Sequence, residues 1–256
     1  MQRSVPASFI LASRRWPVAG SLILCGFLVV FACDSASAQS QSAFGGNVGI
    51  TSDYVYRGVS QSNGEPAFQG DLHYSTRNGW TIGVWGSRAD LEPDEGAGSE
   101  IDLYVSRDWT LDPDWDLRVT ATHYTYPNDP RQASYDYEEL VTGLSFKSRL
   151  FATVAWTPNL TRYANSSFVE NKTALSYELA AVQPLLGQLS GSAGIGYYDL
   201  PAALQADYWF WNVGLACSLG HAQVVVAYID TDSGAAQAFG YEVTGSRWTG
   251  SVAWKF

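Results

Sequence analysis

The sequence predicts an all-β protein: a transmembrane antiparallel up-and-down β-barrel of about 12 strands, with about 10 or 14 as alternatives. Apolar and polar residues alternate with a period of two over most of the chain, and helical periodicity is nearly absent. The connections between the predicted strands alternate between short and long. Beyond the N-terminal region no stretch approaches 18 consecutive apolar residues, which excludes a helical membrane protein.

The N-terminal region has the order of residues found in a secretory signal peptide. Three arginines precede a short apolar run at residues 21–32, and small residues follow at 36–38. The run is too short to cross a bilayer, which needs about 20 residues. We therefore expect residues 1–38 to be a signal peptide and residues 39–256 to be an outer-membrane β-barrel domain. The alternatives are an N-terminal anchor helix and a lipoprotein.

The charge and cysteine counts exclude several kinds of partner and chemistry. The chain has 15 Lys and Arg against 25 Asp and Glu, and residues 1–38 hold three Arg and one Asp. The remainder therefore has 12 basic and 24 acidic residues, a net charge of −12, and we expect no nucleic-acid partner because phosphate binding needs a basic surface. Only Cys217 lies beyond the predicted signal peptide, so no internal disulfide is possible there. Cys217 follows Val213 and Leu215 on an apolar face, which favours packing over catalysis.

Most predicted strands have about 8–13 residues, close to the 9–11 residues of a tilted membrane strand and longer than the 5–6 of most soluble strands. Trp115, Leu117 and Val119 are typical, because they alternate with polar residues along one strand. The predicted strands are 44–57, 66–76, 80–90, 100–110, 115–126, 135–147, 150–157, 173–183, 189–198, 207–218, 222–229 and 247–256.

The connections follow the pattern of an outer-membrane barrel. Short turns, such as the hairpin signal Asn78-Gly79, alternate strictly with longer connections. In outer-membrane barrels the tight turns face the periplasm and the longer loops face outside. An even number of strands then places both termini in the periplasm. The predicted outer loops are 58–65, 91–99, 127–134, 158–172, 199–206 and 230–246.

The end of the chain carries a regular pattern of apolar and aromatic residues. Trp248, Val252, Trp254 and the terminal Phe256 lie on one face of the last predicted strand. This pattern resembles the signal by which the barrel-assembly machinery recognises its clients, and Trp254 and Phe256 are its core. We therefore expect the cell outer membrane of a Gram-negative bacterium as the location, with outer-membrane lipid and the assembly machinery as partners.

A motif that extends from the first predicted strand into the second carries a family resemblance. Its elements are Thr51-Ser52-Asp53-Tyr54, Arg57-Gly58, Ser60-Gln61, Pro66 and Gln69. They resemble a proteobacterial family whose members are labelled TorF-family porins or Gcw_chp. The resemblance is sharp over residues 46–90 and looser towards the C-terminus. It implies a single outer-membrane barrel over the mature chain, and it implies no particular substrate.

Charged residues fall on the face opposite the apolar one. We expect them to line the lumen, because a Lys or Arg that faces lipid at mid-depth costs about 2–4 kcal/mol. The same alternation assigns Tyr54 and Tyr56 to the lipid face, Trp248 to the periplasmic end and Tyr126 to the outer aromatic belt. The main lumen candidates are Asp53, Arg57, Gln69, Asp71, His73, Glu100, Asp102, Asp116, Arg118 and Glu178, and the same face holds Glu139, Lys147, Arg247 and Lys255.

We expect Asp53, Arg57, Asp71 and His73 to form one polar cluster on two consecutive strands. Such a cluster could line a constriction that sets charge selectivity, or it could be a structural network that fills the lumen. The acidic excess favours cations. The expected function is therefore a porin or narrow channel that passes ions or small molecules and prefers cations. The alternative is a plugged structural barrel that binds partners through its surface loops.

Two further kinds of site have weaker support. A hydrolase that acts on membrane lipid would use His123 with Ser134 or Ser167, but the chain has no Gly-x-Ser-x-Gly elbow or other triad signature. The carboxylates Glu92, Asp94, Glu95 and Glu100 could attract Ca²⁺, but their spacing matches no calcium loop. We therefore expect no enzyme activity, no catalytic residue, no metal and no cofactor.

Overall fold

The computed structural model describes residues 43–90, 98–127, 135–164, 167–201, 204 and 206–256, with the backbone alone at 162–164 and 167–170. The predicted signal peptide, residues 1–38, lies outside these ranges, as does most of the predicted loops 91–99 and 127–134. Residues 46–90, which carry the family resemblance, and the C-terminal pattern of aromatic residues lie inside them.

Within the described ranges, twelve antiparallel strands form one closed barrel, which confirms the predicted fold class. Two very short strands, β2 (Val55–Tyr56) and β3 (Val59–Ser60), pair only with each other, and one short helix, α1 (Ser233–Phe239), follows the thirteenth strand. No helix in these ranges is long and apolar enough to cross a membrane. The barrel strands are β1 (Ala43–Thr51), β4 (Ala67–Ser75), β5 (Trp80–Ala89), β6 (Gly98–Thr110), β7 (Trp115–Thr125), β8 (Tyr137–Phe146), β9 (Leu150–Ala164), β10 (Ser167–Pro184), β11 (Leu189–Asp199), β12 (Tyr208–Leu219), β13 (Ala222–Thr231) and β14 (Arg247–Lys255).

The barrel closes between its first and last strands. β1 pairs with β14 from Asn47 opposite Lys255 to Thr51 opposite Ser251, and with β4 on its other side. Successive side chains then point to opposite faces of the wall. On β4, for example, Asp71 is buried inside while Leu72 is exposed outside. The outer face is therefore a belt of apolar side chains, and the inner face is largely polar.

The short connections lie together at one end of the barrel, called here the turn end. They are residues 76–79, 111–114, 147–149, 185–188 and 220–221. Gly79 has a φ of 86°, and a Cβ there would lie 2.7 Å from the carbonyl oxygen of Asp108, so glycine is required. The longer connections lie at the opposite end, called the loop end, as the sequence pattern predicts.

The predicted loop 158–172 is wrong, because β9 and β10 continue through it as a hairpin. Their pairing extends from Leu150 opposite Ala181 to Ala164 opposite Ser167, with two register shifts between Val169 and Ala174. The hairpin extends beyond the belt of apolar side chains, where no apolar outer face is present, so it lacks the period-two alternation that reveals strands elsewhere.

The first predicted strand, 44–57, is also wrong beyond Thr51, where β1 ends. Residues 52–66, called here the inner segment, turn inwards as the β2–β3 hairpin, whose tip residues Arg57 and Gly58 have φ values of 49° and 81°. The chain therefore leaves the wall although the sequence pattern continues.

Four aromatic residues lie away from their predicted positions. Tyr54 is only 2% exposed and, like Tyr56, lies inside the barrel, because both belong to the inner segment. Tyr126 is buried among other tyrosines. Trp248 is near the loop end, because β14 begins there.

Candidate functional site

The inner segment crosses the barrel from the β1–β4 side of the wall to the opposite side. Its tip bonds to β8 and β10, which lie across the barrel from β1 and β4 in the strand order. Backbone bonds hold its return arm: Ser60 donates to the carbonyl of Val243 at 2.8 Å, and Asp90 donates to that of Gln61 at 2.6 Å. The segment therefore narrows the interior near the loop end.

Arg57 is the centre of the contacts across the barrel and is only 4% exposed. Its Nη1 donates to Glu139 Oε2 at 2.8 Å, and its Nε donates to Glu178 Oε1 at 3.2 Å. Its guanidinium carbon lies 4.6 Å from the ring centroid of Tyr56 and 4.7 Å from that of Tyr198. The cation thus has two carboxylates and two aromatic rings as neighbours, an arrangement that suits a planar guanidinium.

Hydroxyl groups of the wall orient the two carboxylates. Thr157 donates to Glu139 at 3.0 Å, and Ser176 donates to Glu178 at 2.8 Å. Tyr56 of the inner segment adds a bond to Glu139 at 3.1 Å. Because these hydrogen bonds occupy lone pairs of the carboxylates, the orientation of Glu139 and Glu178 does not depend on Arg57 alone.

The tip itself is tightly packed. Tyr208 on β12 donates to the carbonyl oxygen of Arg57 at 2.9 Å. A Cβ at Gly58 would lie 2.3 Å from Cγ2 of Thr231, so no larger residue fits there. Val59 belongs to an apolar cluster that includes Tyr208 and Ala235 of α1. The cluster joins the tip of the segment to the helix at the loop end.

A second ion pair holds the base of the inner segment. Asp53 accepts a bond from Nη1 of Arg247 on β14 at 2.8 Å. It also accepts bonds from the hydroxyls of Ser60 at 2.6 Å and Ser62 at 3.0 Å. Asp53 thus ties both arms of the segment to the wall near its origin.

The predicted cluster of Asp53, Arg57, Asp71 and His73 is in fact divided into separate groups. Asp71 lies 2.6 Å from Nδ1 of His73, and its other oxygen accepts a bond from Tyr104 at 2.7 Å. This group lies on β4 and β6, closer to the turn end than the inner segment. The predicted strand 44–57 included Arg57 in the first wall strand, next to Asp71 and His73. The turn after Thr51 instead takes Arg57 to the opposite side of the barrel.

Asp102 on β6 is the most unusual carboxylate of the interior. It is 1% exposed, and neither of its oxygens has a hydrogen-bond partner among the described residues. The carboxylates of Glu100 and Glu139 repel a negative charge on Asp102. Glu100 accepts a bond from the hydroxyl of Tyr54 at 3.2 Å. Burying an unpaired carboxylate is costly, so Asp102 requires a proton or a cation.

A cavity lies under the inner segment on the side of β1, β13 and β14. Amide and hydroxyl side chains contribute to its lining, among them Gln69 and Gln223. Three buried polar atoms of the lining have no partner in the described part of the chain: Gln223 Oε1, Thr249 Oγ1 and Trp85 Nε1. The cavity therefore offers contacts for water or a small polar solute.

The remaining lumen candidates lie elsewhere. Gln69 lies in the wall, 3.5 Å from the hydroxyl of Ser87. Arg118 pairs with Asp108, its Nη2 lying 2.7 Å from Oδ2, and Asp116 accepts a bond from Thr110 at 2.9 Å. These last contacts are near the β6–β7 turn, so they line the turn end and do not contact the inner segment. Lys147, expected on the inner face, lies in the β8–β9 turn and is exposed.

The alternative sites are only partly described. His123 lies on the outer face, where its Nδ1 is 3.0 Å from Glu138 Oε1. Ser134 lies outside the described residues, as do Glu92, Asp94 and Glu95, and the Ser167 side chain is not described. Among the residues that are described, no group of three or more His, Cys, Asp or Glu suits a metal ion.

Solved structures with the same fold include outer-membrane channels. A channel from Pseudomonas putida F1 superposes with a TM-score of 0.53 at 12% identity, covering 85% of this chain and 96% of that chain. The KdgM porin gives 0.51 at 8% identity, covering 84% and 99%. KdgM in complex with disordered oligogalacturonate gives the same values. At these identities the likeness supports the barrel fold alone.

Sequence comparison gives the family. No curated protein matches the chain. The profile of a family described as "Bacterial protein of unknown function (Gcw_chp)" matches residues 35–256, which include every described strand. The match supports the Gcw_chp label of the resemblance and does not extend to the TorF label. Because the matched region covers most of the sequence, the chain belongs to the Gcw_chp family.

Proposed function

We propose that the protein is a cation-preferring channel for small solutes in the outer membrane of a Gram-negative bacterium. In this proposal residues 1–38 are removed on export, the loop end faces outside and both termini lie in the periplasm. The inner segment narrows the outer half of the channel. A barrel with an apolar outer belt and a polar interior supports the location.

The observation that carries the cation preference is the excess of carboxylates over cations around the inner segment. Arg247 offsets Asp53, and the single charge of Arg57 faces two carboxylates, Glu139 and Glu178. Asp102 has no such partner. In a narrow passage with low-dielectric walls the negative potential of these carboxylates is focused, and salt screens it over a distance of about 8 Å.

Asp102→Asn should reduce the preference for cations, because it removes one carboxylate of this excess with little change of shape. The measurement is the reversal potential of the refolded mature chain in planar bilayers under a KCl gradient. Asp114→Asn, in the exposed β6–β7 turn, is the matched control and should leave the potential unchanged. A folded Asp102→Asn variant with the wild-type reversal potential would contradict the role of Asp102.

Labelling of intact cells tests the proposed orientation. A cysteine at Ser233, exposed at the start of α1, should react with an impermeant maleimide in a Cys217→Ala background. A cysteine at Asn78, exposed in the β4–β5 turn, should react only after the outer membrane is permeabilised. The opposite result at the two positions would reverse the orientation.

A plugged barrel is the second candidate. The contacts of Arg57 at the tip and Asp53 at the base favour it, because they hold the inner segment across the interior. If neither the wild type nor a variant without Arg57 conducts ions, the plugged barrel replaces the channel as the proposal.

A further inference from the structure

We propose that Arg57 occupies a recognition site for organic cations as a tethered ligand. The site consists of Glu139, Glu178 and Tyr198 and is called here the wall site. When the inner segment moves away, the wall site binds the guanidinium group of a solute in place of Arg57. The inference rests on the proposed channel function and adds a substrate class to it.

The wall site belongs to the barrel and not to the inner segment. Its members come from β8, β10 and β11, and Thr157 and Ser176, which orient its carboxylates, come from β9 and β10. Removing the inner segment would take away Tyr56 and Arg57 but none of these residues. The site is therefore built before a ligand arrives, which reduces the entropy cost of binding.

The geometry selects a planar cation with several N–H donors. Arg57 donates through Nη1 to one carboxylate and through Nε to the other, while Tyr198 contacts the face of the group. A guanidinium group presents its donors in a rigid plane, whereas an ammonium group is a compact point charge. A neutral urea of the same shape lacks the charge that the two carboxylates require.

Competition with Arg57 sets the concentration that a solute needs in order to occupy the wall site. A group on a short flexible linker has an effective concentration on the order of millimolar. Other contacts favour the bound tip, including the bond from Tyr208 to the Arg57 carbonyl. A solute must therefore be present at millimolar concentration or above to replace Arg57. An empty wall site, by contrast, would leave two buried carboxylates unpaired, which is costly.

Chemical rescue of Arg57→Ala tests the inference. The probes are methylguanidinium and, as its neutral isostere, N-methylurea at the same concentration. Methylguanidinium should raise the unfolding temperature of the refolded variant and block its conductance, and N-methylurea should do neither. Adding Glu139→Gln should weaken the apparent affinity about tenfold, as expected for loss of one charge-assisted hydrogen bond. Arg77→Ala, in the exposed β4–β5 turn, should behave like the wild type.

The outcomes separate this inference from the channel proposal. If methylguanidinium but not N-methylurea stabilises Arg57→Ala, and neither the wild type nor any variant conducts ions, the result supports the wall site and contradicts the channel. If Arg57→Ala conducts ions and the two probes change its conductance equally, or neither changes it, the wall site is overturned. The channel proposal is then unaffected.

Two further measurements cover a variant that fails to fold. If Arg57→Ala does not fold, Arg57→Gln replaces it in the same experiment. If neither folds, wild-type conductance is measured with L-arginine and its neutral analogue citrulline. A selective change with arginine then supports the inference, and equal responses overturn it.

Discussion

Glu139→Ala is expected to lower the free energy of unfolding by about 3 kcal/mol, because the variant leaves Arg57 buried without its closer carboxylate. The value is at the lower end for a broken buried pair, since Glu178 still accepts a bond from Arg57. The hydroxyls of Tyr56 and Thr157 also lose an acceptor. Urea unfolding of the refolded protein in lipid vesicles, followed by tryptophan fluorescence, measures the change.

The neighbouring Glu138 is the matched control. It lies on the same strand but on the outer face, and its side chain is 54% exposed in its pair with His123. An exposed ion pair contributes about 0–1 kcal/mol, so Glu138→Ala should have a small effect. Equal losses of stability in the two variants would show that the contact across the barrel does not hold the inner segment.

Phe256→Ser is expected to cause a several-fold loss of folded barrel in cells. Phe256 directly follows β14, the strand that closes the barrel, and its backbone exchanges two hydrogen bonds of 3.0 Å with Gly46. A serine keeps these bonds and removes only the aromatic group that we expect the assembly machinery to recognise. The yield of heat-modifiable protein in isolated outer membranes measures the effect.

A second aromatic residue at the same end separates recognition from a loss of apolar surface. Phe44 on β1 is also on the outer face, and its exposed fraction is 77% against 61% for Phe256. Phe44→Ser should therefore assemble nearly normally, and both variants should refold in detergent without the machinery. Normal levels of the Phe256→Ser variant in cells would show that the terminal aromatic residue is dispensable.

Sequence alone predicted about twelve barrel strands, the face of most wall residues and the common end at which the short turns lie. Leu72 and Asp71 illustrate the reason: a barrel wall separates two solvents, so adjacent residues must differ in polarity. The same rule extends to Tyr198, because it continues the inner face of Gly194 and Gly196. A search for aromatic residues on that face would have found it.

Only the tertiary structure decided where the inner segment goes and what Arg57 contacts. Arg57 and Glu139 are 82 positions apart, and their contact depends on barrel closure and on the register of the strands between them. A polar segment satisfies the same local pattern whether it extends outside the barrel or folds into its interior, because both environments accept polar groups. The long β9–β10 hairpin escaped prediction for a related reason: beyond the apolar belt its outer face is not apolar, so no alternation marks a strand.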